Sequence, residues 1–221
     1  MAELISVNLA VPRPNPAKRV GVTGIDKQPV NGPVPVRAPG PRGAGLVTGV
    51  VGDRIFDTAH HGGDDQAVYA YAREDLDWWE RELGRFLPSG GFGENLTTRE
   101  LDVTGALVGE RWRVGDHVLL EVSLPRIPCA TFAQWMAEQG WLKRFTARAR
   151  PGAYLRVITP GEVRAGDPIT VDSRPDHEVT IGVTFRALTL EPELLARLPP
   201  AEALPLAVRE QAARRSAAPA A

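Results

Sequence analysis

G-E-R-W-R-V-G-D-H-V-L-L-E-V-S, residues Gly109 to Ser123, is the stretch that sets the fold class. Trp112–Val114 and Val118–Ser123 read as strands, and Gly115-Asp116 between them is a turn signal. The stretch predicts an antiparallel hairpin. Working outward, Leu4–Val11, Val34–Arg37, Gly45–Val51, Tyr154–Ile158 and Ile169–Val171 are further short runs rich in β-branched residues. The 22 glycines and 20 prolines are scattered between these runs rather than gathered into a linker. Short strands punctuated by turns predict a mainly β domain, a barrel or sandwich, rather than alternating βαβ units.

Two helices interrupt the pattern. Glu74–Phe86 places Leu76, Trp79, Leu83 and Phe86 at helical spacing, with an acidic first turn that suits the helix dipole. Thr131–Ala147 carries Phe132, Trp135, Met136, Trp141, Leu142 and Phe145, with a break expected near Gly140. Both sets of aromatics are expected to pack as core. After about Arg174 the character changes. V-T-I-G-V-T-F-R-A-L-T-L reads as a strand or as the start of a helix, and the segments from Glu191 and from Ala201 are helical in composition. The reading is a main domain over residues 1–175 and a short helical appendage over 176–221, ending in a disordered tail from Ser216.

Composition narrows the function. A chain of 221 residues with 43% hydrophobic and 24% charged residues can bury a core, and its net charge of -1 gives no footprint for nucleic acid or an anionic membrane. The N-terminus lacks the pattern of a signal peptide, and no run reaches the roughly 18 apolar residues of a membrane span. The expectation is a cytoplasmic protein.

Cys129 is the only cysteine, in V-S-L-P-R-I-P-C. It cannot close an internal disulfide, and alone it does not make a zinc or iron–sulfur site. It is either a small buried hydrophobe or a reactive thiol. Pro125 and Pro128 stiffen its approach, and Arg126 offers a charge that favours a thiolate. Three other segments carry polar chemistry. His60, His61, Asp53, Asp57, Asp64 and Asp65 gather around Gly62-Gly63, where the alternatives are a metal site, an anion-cradling turn or a surface turn. Adjacent histidines on an extended chain face opposite ways, so one metal would not take both. Ser89–Thr98 combines glycines, including Gly93, with Asn95, Thr97 and Thr98, and is either a binding loop or a flexible turn. Lys27 and Arg37 flank proline turns and would neutralise phosphate if the fold brings them to Cys129. The P-loop, Rossmann and serine-hydrolase motifs are absent.

Taken in order, D-K-Q-P-V-N-G-P-V-P-V, G-V-V-G-D, H-G-G-D-D-Q-A-V-Y-A-Y, G-G-F-G-E-N-L-T-T, V-G-D, V-S-L-P-R-I-P-C and Y-L-R-V-I-T-P-G-E-V-R-A-G-D resemble the MOSC domain family, over about Ile5 to Val171. The likeness is strongest to its stand-alone bacterial branch associated with resistance to hydroxylaminopurine. The resemblance implies a mainly β, barrel-like domain that binds the molybdenum pyranopterin cofactor (molybdopterin), with Cys129 as the thiolate ligand of the metal and the catalytic residue. At family level it also implies pyridoxal phosphate binding. Lys27, Arg37, His61, Gly62, Gly93, Asn95, Thr97 and Arg126 are the residues expected near the cofactor. The implied activity is reduction of N-hydroxylated small molecules such as hydroxylaminopurines and amidoximes. A separate flavin or iron–sulfur reductase would supply electrons, and a homodimer is one possible assembly. Asp53, Asp57 or a histidine would relay protons. A cofactor carrier or sulfur-transfer module is the second reading, and a structural domain with a buried thiol the third.

Overall fold

The computed structural model describes residues 1–217. Twelve strands form in chain order: β1 (Glu3–Ala10), β2 (Arg13–Asn15), β3 (Gly21–Thr23), β4 (Lys27–Pro29), β5 (Val34–Val36), β6 (Val68–Ala72), β7 (Leu96–Arg99), β8 (Arg111–Val114), β9 (Val118–Pro125), β10 (Ala153–Thr159), β11 (Gly161–Val163) and β12 (Ile169–Ser173). Helices α1 (Arg73–Leu83), α2 (Ala130–Met136), α3 (Trp141–Arg148), α4 (Ile181–Thr189) and α5 (Leu206–Ala217) cover them. Eight strands make one mixed sheet in the order β12-β8-β9-β10-β6-β7-β1-β4, and β11-β5 and β2-β3 are separate two-stranded ribbons.

Ladder pairing does not close the large sheet, but its ends meet. A bridge joins Glu3 to Pro168, Leu4 N donates to Asp167 O at 2.9 Å, and Ile169 N donates to Ala2 O at 2.8 Å. These bonds satisfy part of an exposed strand edge and give the sheet its barrel-like curvature. One neighbouring pair, β6 and β7, is parallel, with α1 as the crossover between them.

Period-two alternation divides the core. On β6, Val68, Ala70 and Ala72 join the large aliphatic cluster inside the sheet, whereas Tyr69 and Tyr71 join an aromatic cluster on the other face. That second cluster packs Trp79 of α1, Phe132 of α2, and Trp141 and Phe145 of α3 around Phe92, with Trp79–Trp141 centroids at 4.6 Å. Such edge-to-face and tilted pairs are favourable beyond area burial alone.

The Gly109–Ser123 hairpin forms as expected, with Val114 opposite Val118. The second helical run breaks at Gly140, which sits in the left-handed region at the start of α3. Gly45–Val51, expected as a strand, is a loop that touches β5 only through a Val36–Val50 bridge. Phe86, expected to pack, is 76% exposed because Gly84 caps α1 and turns the chain outward before it. The ambiguous run after Val179 is helix α4, capped by Thr180, whose hydroxyl accepts from Val183 N at 3.0 Å. Val179, Ile181, Ala187, Leu195, Leu198, Leu204 and Ala212 share the same aliphatic cluster as the sheet, so the C-terminal helices add to that core rather than building one of their own. Ser216 and Ala217 complete α5, and the rest of the expected disordered tail lies outside the described residues.

Candidate active site

A cavity of about 730 Å³, including its open mouth, lies beside the end of β9 and the start of α2. Cys129 lines it, half-buried, immediately before the first turn of α2. Pro125 ends β9 and Pro128 precedes the cysteine, so the chain leaves the sheet in an extended conformation, with Cys129 at φ -132°.

Three neighbours act on the sulfur. Burial pushes the thiol up, but the neighbouring His61, the Arg126 guanidinium and the Phe132 backbone N–H outweigh it and bring it from 9.0 to about 6. At neutral pH the sulfur is therefore a thiolate, the form that acts as nucleophile and metal ligand.

Arg126 is 8% exposed and sits on aromatic faces, with its guanidinium carbon 4.3 Å from the Phe132 centroid and 5.1 Å from that of Tyr69. Nη1 donates to Phe92 O. Among the described residues no carboxylate pairs with it, and the acidic groups acting on it are Tyr69, Tyr154 and Cys129. A buried guanidinium normally needs a counter-charge, and here the thiolate or an anionic guest provides one. Tyr69 and Tyr154, directly opposed across β6 and β10, carry phenols that burial pushes up, so both stay protonated.

A second charged group forms the opposite wall. Lys27 Nζ meets Asp53 Oδ1 and Oδ2 at 2.5 and 2.6 Å, and both side chains are nearly closed to solvent. Asp53 also accepts from Ala10 N and Asn95 Nδ2, each at 2.9 Å. Burial pulls the Lys27 ammonium below its ordinary value despite Asp53. Asn95 lines the cavity, but its amide is engaged: Oδ1 accepts from Tyr69 N at 3.1 Å, and Nδ2 reaches Asp53 and Asn8 O. It holds β1, β6 and the Lys27–Asp53 pair together.

Two glycines keep these walls close. A Cβ on Gly90 would lie 2.1 Å from Lys27 O, and one on Gly62 would lie 2.5 Å from Val47 O. Both sit at positive φ. The turn at Gly62 is fixed further by Gln66 Oε1, which accepts from Gly62 N at 3.1 Å and keeps the adjacent His61 at the cavity.

Of the residues singled out from sequence, Lys27, His61, Gly62, Gly93, Asn95, Arg126 and Cys129 line one cavity. Arg37 does not; it is exposed, and its backbone N binds Gly49 O at 2.8 Å. Thr97 lies behind the wall, fully buried, where it donates to Glu94 Oε1 and accepts from Asn8 Nδ2, both at 2.9 Å. The two histidines part, though from a turn and not an extended stretch: His61 lines the cavity, and the exposed His60 binds Asp57 at 2.8 Å. Among the described residues no three His, Cys, Asp or Glu side chains gather to hold a metal ion. Sequence reasoning missed Asn15, Phe56, Thr131 and Tyr154, which also line it. Only Tyr154 carried a signal, the alternation of its strand.

The MOSC domain family matches residues 57–170, a little over half of the chain, and the chain belongs to that family. The matched stretch contains His61, Asn95, Arg126 and Cys129; Asn15, Lys27 and Asp53 precede it. The uncharacterized protein YflK of Bacillus subtilis is 32% identical over 130 residues, covering 59% of this chain and 58% of YflK. A protein named "Reductase" from Gibberella moniliformis is 33% identical over 156 residues, covering 69% of this chain and 26% of that protein. The chain thus spans little more than half of one curated relative and about a quarter of the other. The crystal structure of YiiM from Geobacillus stearothermophilus aligns over 98% of this chain and 100% of that one, with a TM-score of 0.77 at 27% identity. No helix of the described residues is long and apolar enough to cross a membrane.

Proposed function

We propose that this chain binds the molybdenum pyranopterin cofactor in the cavity at Cys129 and reduces N-hydroxylated small molecules, with electrons from a separate flavin or iron–sulfur reductase. The observation that carries the reading is the pairing of an accessible cysteine with a buried guanidinium that has no carboxylate partner. The donor chemistry fits: one thiolate from the protein suffices when the pterin dithiolene brings two more sulfurs. Family membership and a relative named for reductase activity point the same way.

When bound, the cofactor supplies the two-electron chemistry, as such groups do. The residues of this chain do the rest. The Cys129 thiolate would be the metal ligand, its thiol lowered by the adjacent His61 and the Arg126 charge. Arg126, which has no carboxylate partner among the described residues, attracts the anionic parts of the guest. Conversion of an N–OH to an N–H and water consumes two electrons and two protons. Lys27 Nζ, its ammonium destabilised by burial, is the proton-bearing group at the wall suited to give one up.

The test is molybdenum and pterin analysis of protein from a molybdenum-replete host, followed by turnover of an amidoxime or of 6-N-hydroxylaminopurine with a chemical reductant. Near-stoichiometric metal and loss of turnover in Cys129→Ala are expected. Full turnover without the sulfur ends the reading. The same accessible low-pKa sulfur also suits a sulfur carrier; a persulfide on Cys129 with no turnover of hydroxylamino compounds favours that alternative.

A further inference from the structure

Among the described residues nine buried side-chain nitrogen or oxygen atoms have no hydrogen-bond partner, and one of them, Asn15 Oδ1, belongs to a residue that lines the Cys129 cavity. Asn15 is only 3% exposed. It ends β2, and its Nδ2 donates to Thr131 Oγ1 at 3.0 Å, two residues past Cys129. The β2–β3 ribbon is thereby tied to the first turn of α2, and Asn15 is held in place. Buried acceptors are rarely left unmet in a finished site, because losing water without gaining a donor is costly. An Asn carbonyl oxygen can only accept, so the missing partner is an N–H or O–H donor.

We infer that Asn15 is a recognition residue of this cavity, its Oδ1 accepting a hydrogen bond from a ring or amino N–H of a planar heterocyclic guest. The shape of the site supports a flat guest, since Val22, Ile25, Phe56 and Tyr154 supply apolar and aromatic surface beside Asn15. Asn15 lies outside residues 57–170, the stretch that the family matches. The inference rests on the reading of the cavity as a heterocycle site. Two guests share the required donor, the pterin of a cofactor and a purine-type substrate, and each carries an amino N–H on a flat ring.

The test uses cofactor-free full-length protein titrated calorimetrically with adenine and with pterin, and with the N-dimethylated form of each, which lacks the amino donor. Wild type, Asn15→Leu and Asn15→Asp are compared. The leucine variant is expected to bind about tenfold more weakly, the size of one good hydrogen bond. The aspartate variant keeps the acceptor and is expected to stay close to wild type. Dimethylation is expected to weaken wild type by a similar factor and to leave Asn15→Leu unchanged, the signature of a direct contact in a double-mutant cycle. An effect confined to pterin assigns the contact to the cofactor, and one confined to adenine assigns it to the substrate. Equal binding by wild type and Asn15→Leu, or no binding of either guest by wild type, overturns the inference. An aspartate variant as weak as the leucine variant overturns the acceptor role. If Asn15→Leu does not fold, the dimethylated guests on wild type and Asn15→Asp decide. Binding through Asn15 in protein that never takes up molybdenum from a replete host would sink the molybdenum reading and leave the Asn15 contact standing.

Discussion

Lys27 Nζ sits between both carboxylate oxygens of Asp53, at 2.5 and 2.6 Å, in a wall that is nearly closed to water. A pair of this kind contributes little net stability against apolar residues of equal volume, yet either charge left alone is expensive. Asp53→Ala is therefore expected to cost about 3–5 kcal/mol of unfolding free energy. The double replacement Lys27→Met with Asp53→Leu is expected to recover most of that loss. Denaturant melts of wild type, Lys27→Met, Asp53→Leu and the double variant form the cycle, and additive losses would show that the two groups do not act as a pair.

The Cys129 thiol is expected to titrate near pH 6 in the folded protein rather than near its ordinary 9.0. Initial rates of iodoacetamide labelling across pH 5 to 9 measure it. His61→Phe is expected to raise the midpoint most and Arg126→Met next, following the order in which those groups act on the sulfur. The sign for stability follows from the depressed folded value. The contribution is complete above pH 9, falls between 9 and 6, and is absent below 6, where folded and unfolded thiols are both protonated. In that window unfolding free energy is expected to gain at most about 1.4 kcal/mol per pH unit from this group. Cys129→Ser removes that slope.

Arg126→Met separates folding from function. Among the described residues the guanidinium has no carboxylate partner, so an apolar side chain of similar length relieves a desolvation cost while giving up the bond to Phe92 O, the two aromatic faces and the charge opposite Cys129. The melting temperature is expected to change little, while binding of an anionic guest is lost. A large fall in melting temperature with guest binding intact would reverse this account.

Gly90→Ala tests the closeness of the walls. The new Cβ meets the Lys27 carbonyl at 2.1 Å from a backbone at φ 85°. Strain on the order of 1–3 kcal/mol is expected, together with displacement of Lys27. Gly84→Ala has the same backbone sign and open space around it, so it should cost only about 1 kcal/mol. Chemical denaturation of the two variants gives the difference.

The parts of the fold legible in the sequence were those written in local patterns. Gly115-Asp116 marked its hairpin and Gly140 its helix break, because turn chemistry is a property of neighbouring residues. β6 was hidden because Val68–Ala72 is buried on both faces and follows a dense polar run, so it shows no alternation of apolar and polar residues. β2, β3 and β4 are three residues each, too short for any period to register. At the site, Cys129, Arg126, His61 and Lys27 stood out by residue type and by family likeness. Asn15 did not, since only the tertiary fold carries it to within a hydrogen bond of Thr131. Thr97 and Arg37 show the reverse: polar residues in suggestive segments whose bonds lie elsewhere.

β1 meets the Gly166–Ile169 segment at one end and holds Asn95 and Asp53 at the other. β1 therefore waits for Gly166–Ile169, far later in the chain, before its outer edge is covered. Pairings this distant in sequence form slowly and leave a sticky edge open in the nascent chain. Until those residues are made that edge stays open, and a chaperone that shields β1 would raise the yield of folded protein more than one acting on the C-terminal helices.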